Sequence, residues 1–148
     1  MTSLPSPRWQ WPLAYAVTLL VFLAMDAVWL STATAALYRP AIGHLLAPTV
    51  DWAAAVLFYV FYFAGLVYFA IAPALASGRA RQALVRGVLL GLLCYGTYDF
   101  TNQATMQGWP WLVTAVDLVW GGTVTGVSCW VAAVVTLRFL RRSAGGLR

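Results

Sequence analysis

Four apolar blocks divide the chain, at roughly residues 12–35, 52–73, 84–106 and 111–137, and the polar residues gather between them. Each block reaches the about 20 residues that a helix needs to cross a bilayer. All are far longer than the roughly 9–11 residues of a barrel strand, and none alternates polar with apolar. The pattern predicts an all-α integral membrane protein, a four-transmembrane-helix bundle forming one membrane domain over residues 1–148. Ser143-Ala144-Gly145-Gly146-Leu147-Arg148 reads as a mobile tail.

Composition sharpens this. Hydrophobic residues make up 62% of the chain and charged residues 9%, against about 45–50% and about 25% in soluble domains. Too few polar side chains remain to cover a water-facing surface, which excludes a soluble enzyme and a disordered tail. The net charge of +5 comes from nine arginines and four aspartates, with no lysine or glutamate. In this setting it signals topology and not nucleic-acid binding. Cys94 and Cys129 lie in apolar runs without metal or redox spacing.

The arginines orient the spans. Arg8 precedes the first block, Arg79, Arg81 and Arg86 flank the connection between the second and third, and Arg138, Arg141, Arg142 and Arg148 follow the fourth. Only Arg39 falls on the other side. Cytoplasmic loops keep positive charge, so both termini are expected inside, in a bacterial inner (plasma) membrane. Trp9, Trp11 and Trp130 would mark the inner interface, and Trp52, Trp109 and Trp111 the outer one. A cleavable leader ending at Ala33-Thr34-Ala35 is the competing reading, but the segment is too long and contains Asp26 and Trp29.

The acids change the picture most. By helical rise, Asp26 lies roughly 21 Å above the inner edge of its span, Asp99 roughly 22 Å and Asp117 about 21 Å. Three carboxylates on three helices thus reach one layer in the outer half of the bilayer. Gly87, Gly91, Tyr95, Tyr98 and Asn102 form a face with Asp99 on its edge, and Gly87-x-x-x-Gly91 permits close helix approach. Asp117, Gly121, Val124 and Ser128 share a face beside Trp120; Asp26 stands in line with Tyr15, Leu19, Phe22, Trp29 and Leu30. Tyr59 and Tyr62 can reach the same layer.

An acid at a helix centre costs about 2.5–3.5 kcal/mol on insertion scales. Three ionised acids in contact would repel one another in a poorly solvating medium. One must be neutral, or a cation must sit among them, and no arginine reaches that depth. The competing reading is interhelical glue, with each acid bonded to Trp29, Trp120, Asn102 or a tyrosine at about 0.6 kcal/mol per bond. His44, on the outer loop after Arg39-Pro40-Ala41-Ile42-Gly43, is either a gate or ligand over the site or a solvated loop residue. The aromatic run Phe58, Tyr59, Phe61, Tyr62, Phe63 reads as helix packing.

Ala24-x-Asp26-x-Val28-Trp29-x-x-Thr32-x-Thr34 matches Ala115-x-Asp117-x-Val119-Trp120-x-x-Thr123-x-Thr125 at every named residue. The two segments run in opposite directions, so the echo reads as matched local chemistry and not as a tandem duplication.

Asp26-x-x-Trp29-Leu30, Tyr38 through Ile42-Gly43-His44-Leu45, Tyr98-Asp99-x-Thr101-Asn102 and Asp117-x-x-Trp120-Gly121 resemble the bacterial membrane family filed as domain of unknown function twenty-one seventy-seven. The resemblance runs from the first span to the end of the fourth. It implies a small four-helix inner-membrane protein with no established activity, and relatives near lipid-modifying genes imply a link to lipid chemistry.

Three functions fit these residues. The first is an outward-opening site that binds or transports a proton, metal ion or small cationic ligand. There Asp26, Asp99 and Asp117 hold the ligand, Trp29, Tyr95, Tyr98, Asn102 and Trp120 line the site, and His44 gates it. The second is an intramembrane enzyme, or accessory subunit, in lipid or fatty-acid modification, with acids as proton-transfer groups and a bound metal as an option. The third is a structural subunit. The lipid bilayer is the expected partner, with a small cation or a lipid as ligand; a homodimer would help so small a chain enclose a path.

Overall fold

The computed structural model describes residues 7–145, which form helices joined by short turns; among the described residues there is no strand. Helix α1 spans Gln10–Ala33 and continues through a wide π turn at Thr34–Tyr38, a short α2 at Arg39–Ile42 and a 3-10 turn at Gly43–Leu45. Helix α3 spans Trp52–Leu66, followed by a second π turn at Val67–Ile71 and α4 at Ala72–Ser77. Helix α5 spans Ala80–Thr105 and α6 spans Trp111–Gly145. Four helical runs are long and apolar enough to cross a membrane: Gln10–Leu45, Trp52–Ser77, Ala80–Thr105 and Trp111–Ser143.

The first run continues ten residues past the end of its apolar block, so Arg39 and His44 extend a helix instead of occupying a loop. No breaker interrupts residues 33–37, and Pro40 stands at the start of α2, where its missing N–H is harmless. At the other end α6 takes in residues 143–145 of the expected tail, and residues 146–148 lie outside the described residues. Asp51, the fourth aspartate, caps α3 by accepting from the backbone N–H groups of Ala53 and Ala54 at 3.0 and 3.1 Å. Gly78, at φ +68°, ends α4 in the left-handed conformation that glycine adopts without strain.

Both π turns end just before a proline, Pro40 or Pro73, as helix irregularities commonly do. In a regular helix the Phe69 carbonyl would accept from residue 73, but proline has no N–H. Arg86 Nη1 donates to that carbonyl instead, at 3.2 Å, which accounts for an arginine inside the third apolar block. Replacing it, Arg86→Met, is expected to cost about 1–2 kcal/mol, with Arg86→Lys recovering part; unfolding in graded SDS micelles reads the difference.

Helices α5 and α6 make the most extensive pairing and α1 with α6 the next. The first depends on glycine. A Cβ added to Gly91 would collide with the Gly121 carbonyl, and one on Gly87 would press on Gly126 and Thr125. These contacts set an antiparallel register with residue 91 opposite 121 and residue 87 opposite 125–126. Phe22, Phe63, Leu66, Ile71 and Val124 form the sealed centre. The connections at residues 46–51 and 106–110 share one end of the bundle; Arg8, Arg79, Arg81 and Arg138 share the other. Trp9, Trp11, Trp52, Trp111 and Trp130 are exposed. Trp109 is not one of them: it is buried, and its Nε1 donates to Thr114 Oγ1 at 3.1 Å.

Candidate polar site

The site is built where α1 and α6 cross. Asp26 is buried on α1 and accepts two hydrogen bonds, from Trp120 Nε1 at 3.4 Å and from the Tyr59 hydroxyl at 3.2 Å. One turn along α1, the Trp29 ring lies flat on Trp120, with centroids 4.5 Å apart and planes 9° from parallel. Trp29 Nε1 donates to the Tyr38 hydroxyl at 3.0 Å, which in turn donates to Asp117 Oδ1 at 2.5 Å. The indole of α6 therefore serves the acid of α1, while the indole of α1 serves the acid of α6 through Tyr38.

This arrangement explains the internal echo. In an antiparallel pair, two copies of Asp-x-x-Trp placed opposite each other put each Trp beside the other helix's Asp. The two copies of the motif thus face each other across a local pseudo-two-fold. The exchange is incomplete by one group, and the π turn at Thr34–Tyr38 supplies it by carrying Tyr38 to Asp117.

Asp99 is different. It has 0% exposure, and neither carboxyl oxygen has a hydrogen-bond partner in the protein. The Asn102 side-chain nitrogen, one turn away on the same buried face, also lacks one. The glycine register of α5 on α6 carries Asp99 to the level of residues 113–114, about one helical turn along α6 from Asp117. Asp26 and Asp117 face neutral donors that stabilise a carboxylate, at about 1.5–3 kcal/mol for a bond to a charged group. Asp99 meets none, and a bare buried charge costs several kcal/mol. Its charge must be cancelled by a proton or a cation.

The remaining expected residues separate. Trp29 and Trp120 join the network directly. Tyr95 is half-buried with its ring against Gly121. Tyr98 is 56% exposed, packs edge-on against Trp109 and makes no hydrogen bond to the acids. The buried face of α5 thus centres on Asp99, which is not at its edge, and turns Tyr98 outward. His44 is exposed, with Nε2 beside Gly108, and bonds none of the acids. Tyr38 is the contributor that sequence reasoning missed; a proline and an arginine following it gave its segment the look of a loop. Among the described residues no group of three His, Cys, Asp or Glu side chains is placed to hold a metal ion. Beside the stacked indoles lies an apolar cavity of about 360 Å³, lined by Trp29, Ala115, Val116, Val119, Trp120 and Thr123.

Compared with known families, residues 11–134 match the family model described as "Predicted membrane protein (DUF2177)". The chain belongs to this family. The stretch matching DUF2177 contains all three buried acids, both indoles and Tyr38. No curated protein and no solved structure matches the chain, so what a DUF2177 member does has to be argued from the site itself.

Proposed function

We propose that this protein handles protons in a bacterial inner membrane, with both termini in the cytoplasm and the acid layer toward the outer face. The distribution of the arginines supports that orientation. Asp99 is the proton-holding group. One observation carries the reading: a carboxyl with 0% exposure and no hydrogen-bond partner on either oxygen. A proton cancels its charge without disturbing the packing, whereas a larger cation needs room beside a carboxyl that is already fully covered. Asp117, about one helical turn away along α6, is the exchange partner, and Tyr38 and Trp29 orient it.

Infrared spectra of the reconstituted chain at neutral pH test this. A stretching band of a protonated carboxyl is expected in the parent and is lost in Asp99→Asn. A parent without that band, or a band untouched by the substitution, overturns the reading.

A second reading, interhelical glue, draws on the fact that Asp26 and Asp117 take their donors from other helical segments. It requires Asp→Asn at all three positions, which keeps hydrogen bonding and removes ionisation, to leave stability and phenotype unchanged.

A further inference from the structure

The connection at residues 46–51 holds charge that the acid layer does not use. An open cavity of about 760 Å³ lies there; Thr34, Arg39 and Gly43 line it from the first helical run, and Thr49, Val50 and Asp51 from the connection. That volume falls within the about 300–1,000 Å³ usual for small-molecule sites. The run Gln10–Leu45 has 36 residues, about 54 Å of helix against about 30 Å of hydrocarbon. Its last turns, Arg39 among them, therefore stand at the level of the lipid headgroups.

The cavity carries one charge of each sign, and the protein pairs neither. Among the described residues Arg86 is the arginine with an acceptor in the protein, and Arg39 has none. Asp51 accepts from the Ala53 and Ala54 N–H groups through Oδ1 alone, which leaves Oδ2 free to accept. Every other arginine lies toward the opposite end of the bundle, so Arg39 stands against the topological bias. An arginine fork matches a phosphate through two parallel N–H···O bonds, and a carboxylate oxygen accepts from an ammonium. A ligand with both groups on one short chain satisfies the pair, whereas a lone anion would meet Asp51 and a lone cation would meet Arg39.

The surface beside the cavity suits acyl chains. Beyond its own continuation α3 packs appreciably only on α1; the contacts with α5 and α6 are made by the π turn Val67–Ile71 and α4. Trp52, Val56, Leu57 and Phe61 are accordingly all more than half exposed. We propose that Arg39 and Asp51 form a headgroup site for a zwitterionic phospholipid, with its phosphate on Arg39, its ammonium on Asp51 Oδ2 and its acyl chains along the open side of α3. The site is separate from the acid layer and does not depend on the reading of Asp99.

The test is native mass spectrometry of the full chain in micelles titrated with phosphatidylethanolamine, phosphatidylcholine or phosphatidylglycerol. The first phosphatidylethanolamine is expected to bind about fivefold more tightly than the first phosphatidylcholine, whose methylated ammonium has no N–H to donate; fivefold is the equivalent of one charge contact at a membrane surface. Arg39→Gln and Asp51→Asn should each remove that preference. Asn caps a helix as well as Asp, so Asp51→Asn withdraws the charge and keeps α3 in place, and circular dichroism identifies any variant that merely unfolds. Arg138→Gln, at the other end of the bundle, should leave the preference intact. Equal binding of phosphatidylethanolamine and phosphatidylcholine to the parent overturns the site, as does a preference that survives either variant or is lost in Arg138→Gln. Phosphatidylglycerol held through Arg39 as tightly as phosphatidylethanolamine would make this a plain anion site, and also overturns it.

Discussion

Gly91→Ala is expected to destabilise the bundle by about 3 kcal/mol, the upper part of the range for overpacking. The added methyl would overlap the Gly121 carbonyl oxygen and carbon and press on Gly122 Cα. Those are backbone atoms, so no rotamer change relieves the contact; α5 and α6 have to separate along their whole seam. Separation also loosens the register that keeps Asp99 buried against α6. Gly96 on the same helix is the control, because a methyl there meets only the Phe100 ring at 3.6 Å, an ordinary contact. Gly96→Ala should therefore be neutral or stabilise by up to about 1 kcal/mol through helix propensity. Graded SDS unfolding of the two variants makes the comparison; equal effects would mean that helix propensity, not close approach, governs these glycines.

Trp120→Ala should be nearly as costly. It removes a ring stacked on Trp29, a donor to Asp26 and one wall of the reciprocal motif at once. Aromatic pairing contributes about 0.5–1.5 kcal/mol beyond area and a membrane hydrogen bond about 0.6 kcal/mol. With the cavity left behind, a loss of about 3 kcal/mol follows, the low end for Trp→Ala. Trp120→Phe keeps most of the stack and loses the N–H, so about 1 kcal/mol is expected from the donor alone. A double-mutant cycle with Asp26→Asn measures the coupling directly. If the two changes simply add, the indole does not serve the acid, and the reciprocal network is a packing coincidence.

Much of this was legible in the residues. Long apolar blocks admit only helices in lipid, and Gly87-x-x-x-Gly91 announced a close approach that the α5–α6 pairing bears out. The face Asp117, Gly121, Val124, Ser128 is buried as helical spacing implied. Other readings went astray where local pattern competes with the tertiary environment. Trp109 looked like an interfacial residue but turns inward to Thr114. Tyr98 shares a helical face with Asn102 at a spacing of i, i+4, but a single helix cannot say where the centre of its buried arc falls. The segment around Tyr38 carries a proline and an arginine, both common in loops, yet it remains helical.

What the chain alone determined is the span number and the helical class, because these depend on the bilayer's thickness and on a rise per residue that every helix shares. Pairing was beyond its reach. The exchange of indoles between Asp26 and Asp117, the recruitment of Tyr38 through a widened turn and the lack of any donor for Asp99 depend on which helices meet and at what rotation. Those are set by steric fit between whole surfaces: three glycine-free helices of the same polarity would cross differently and leave the same acids with other neighbours.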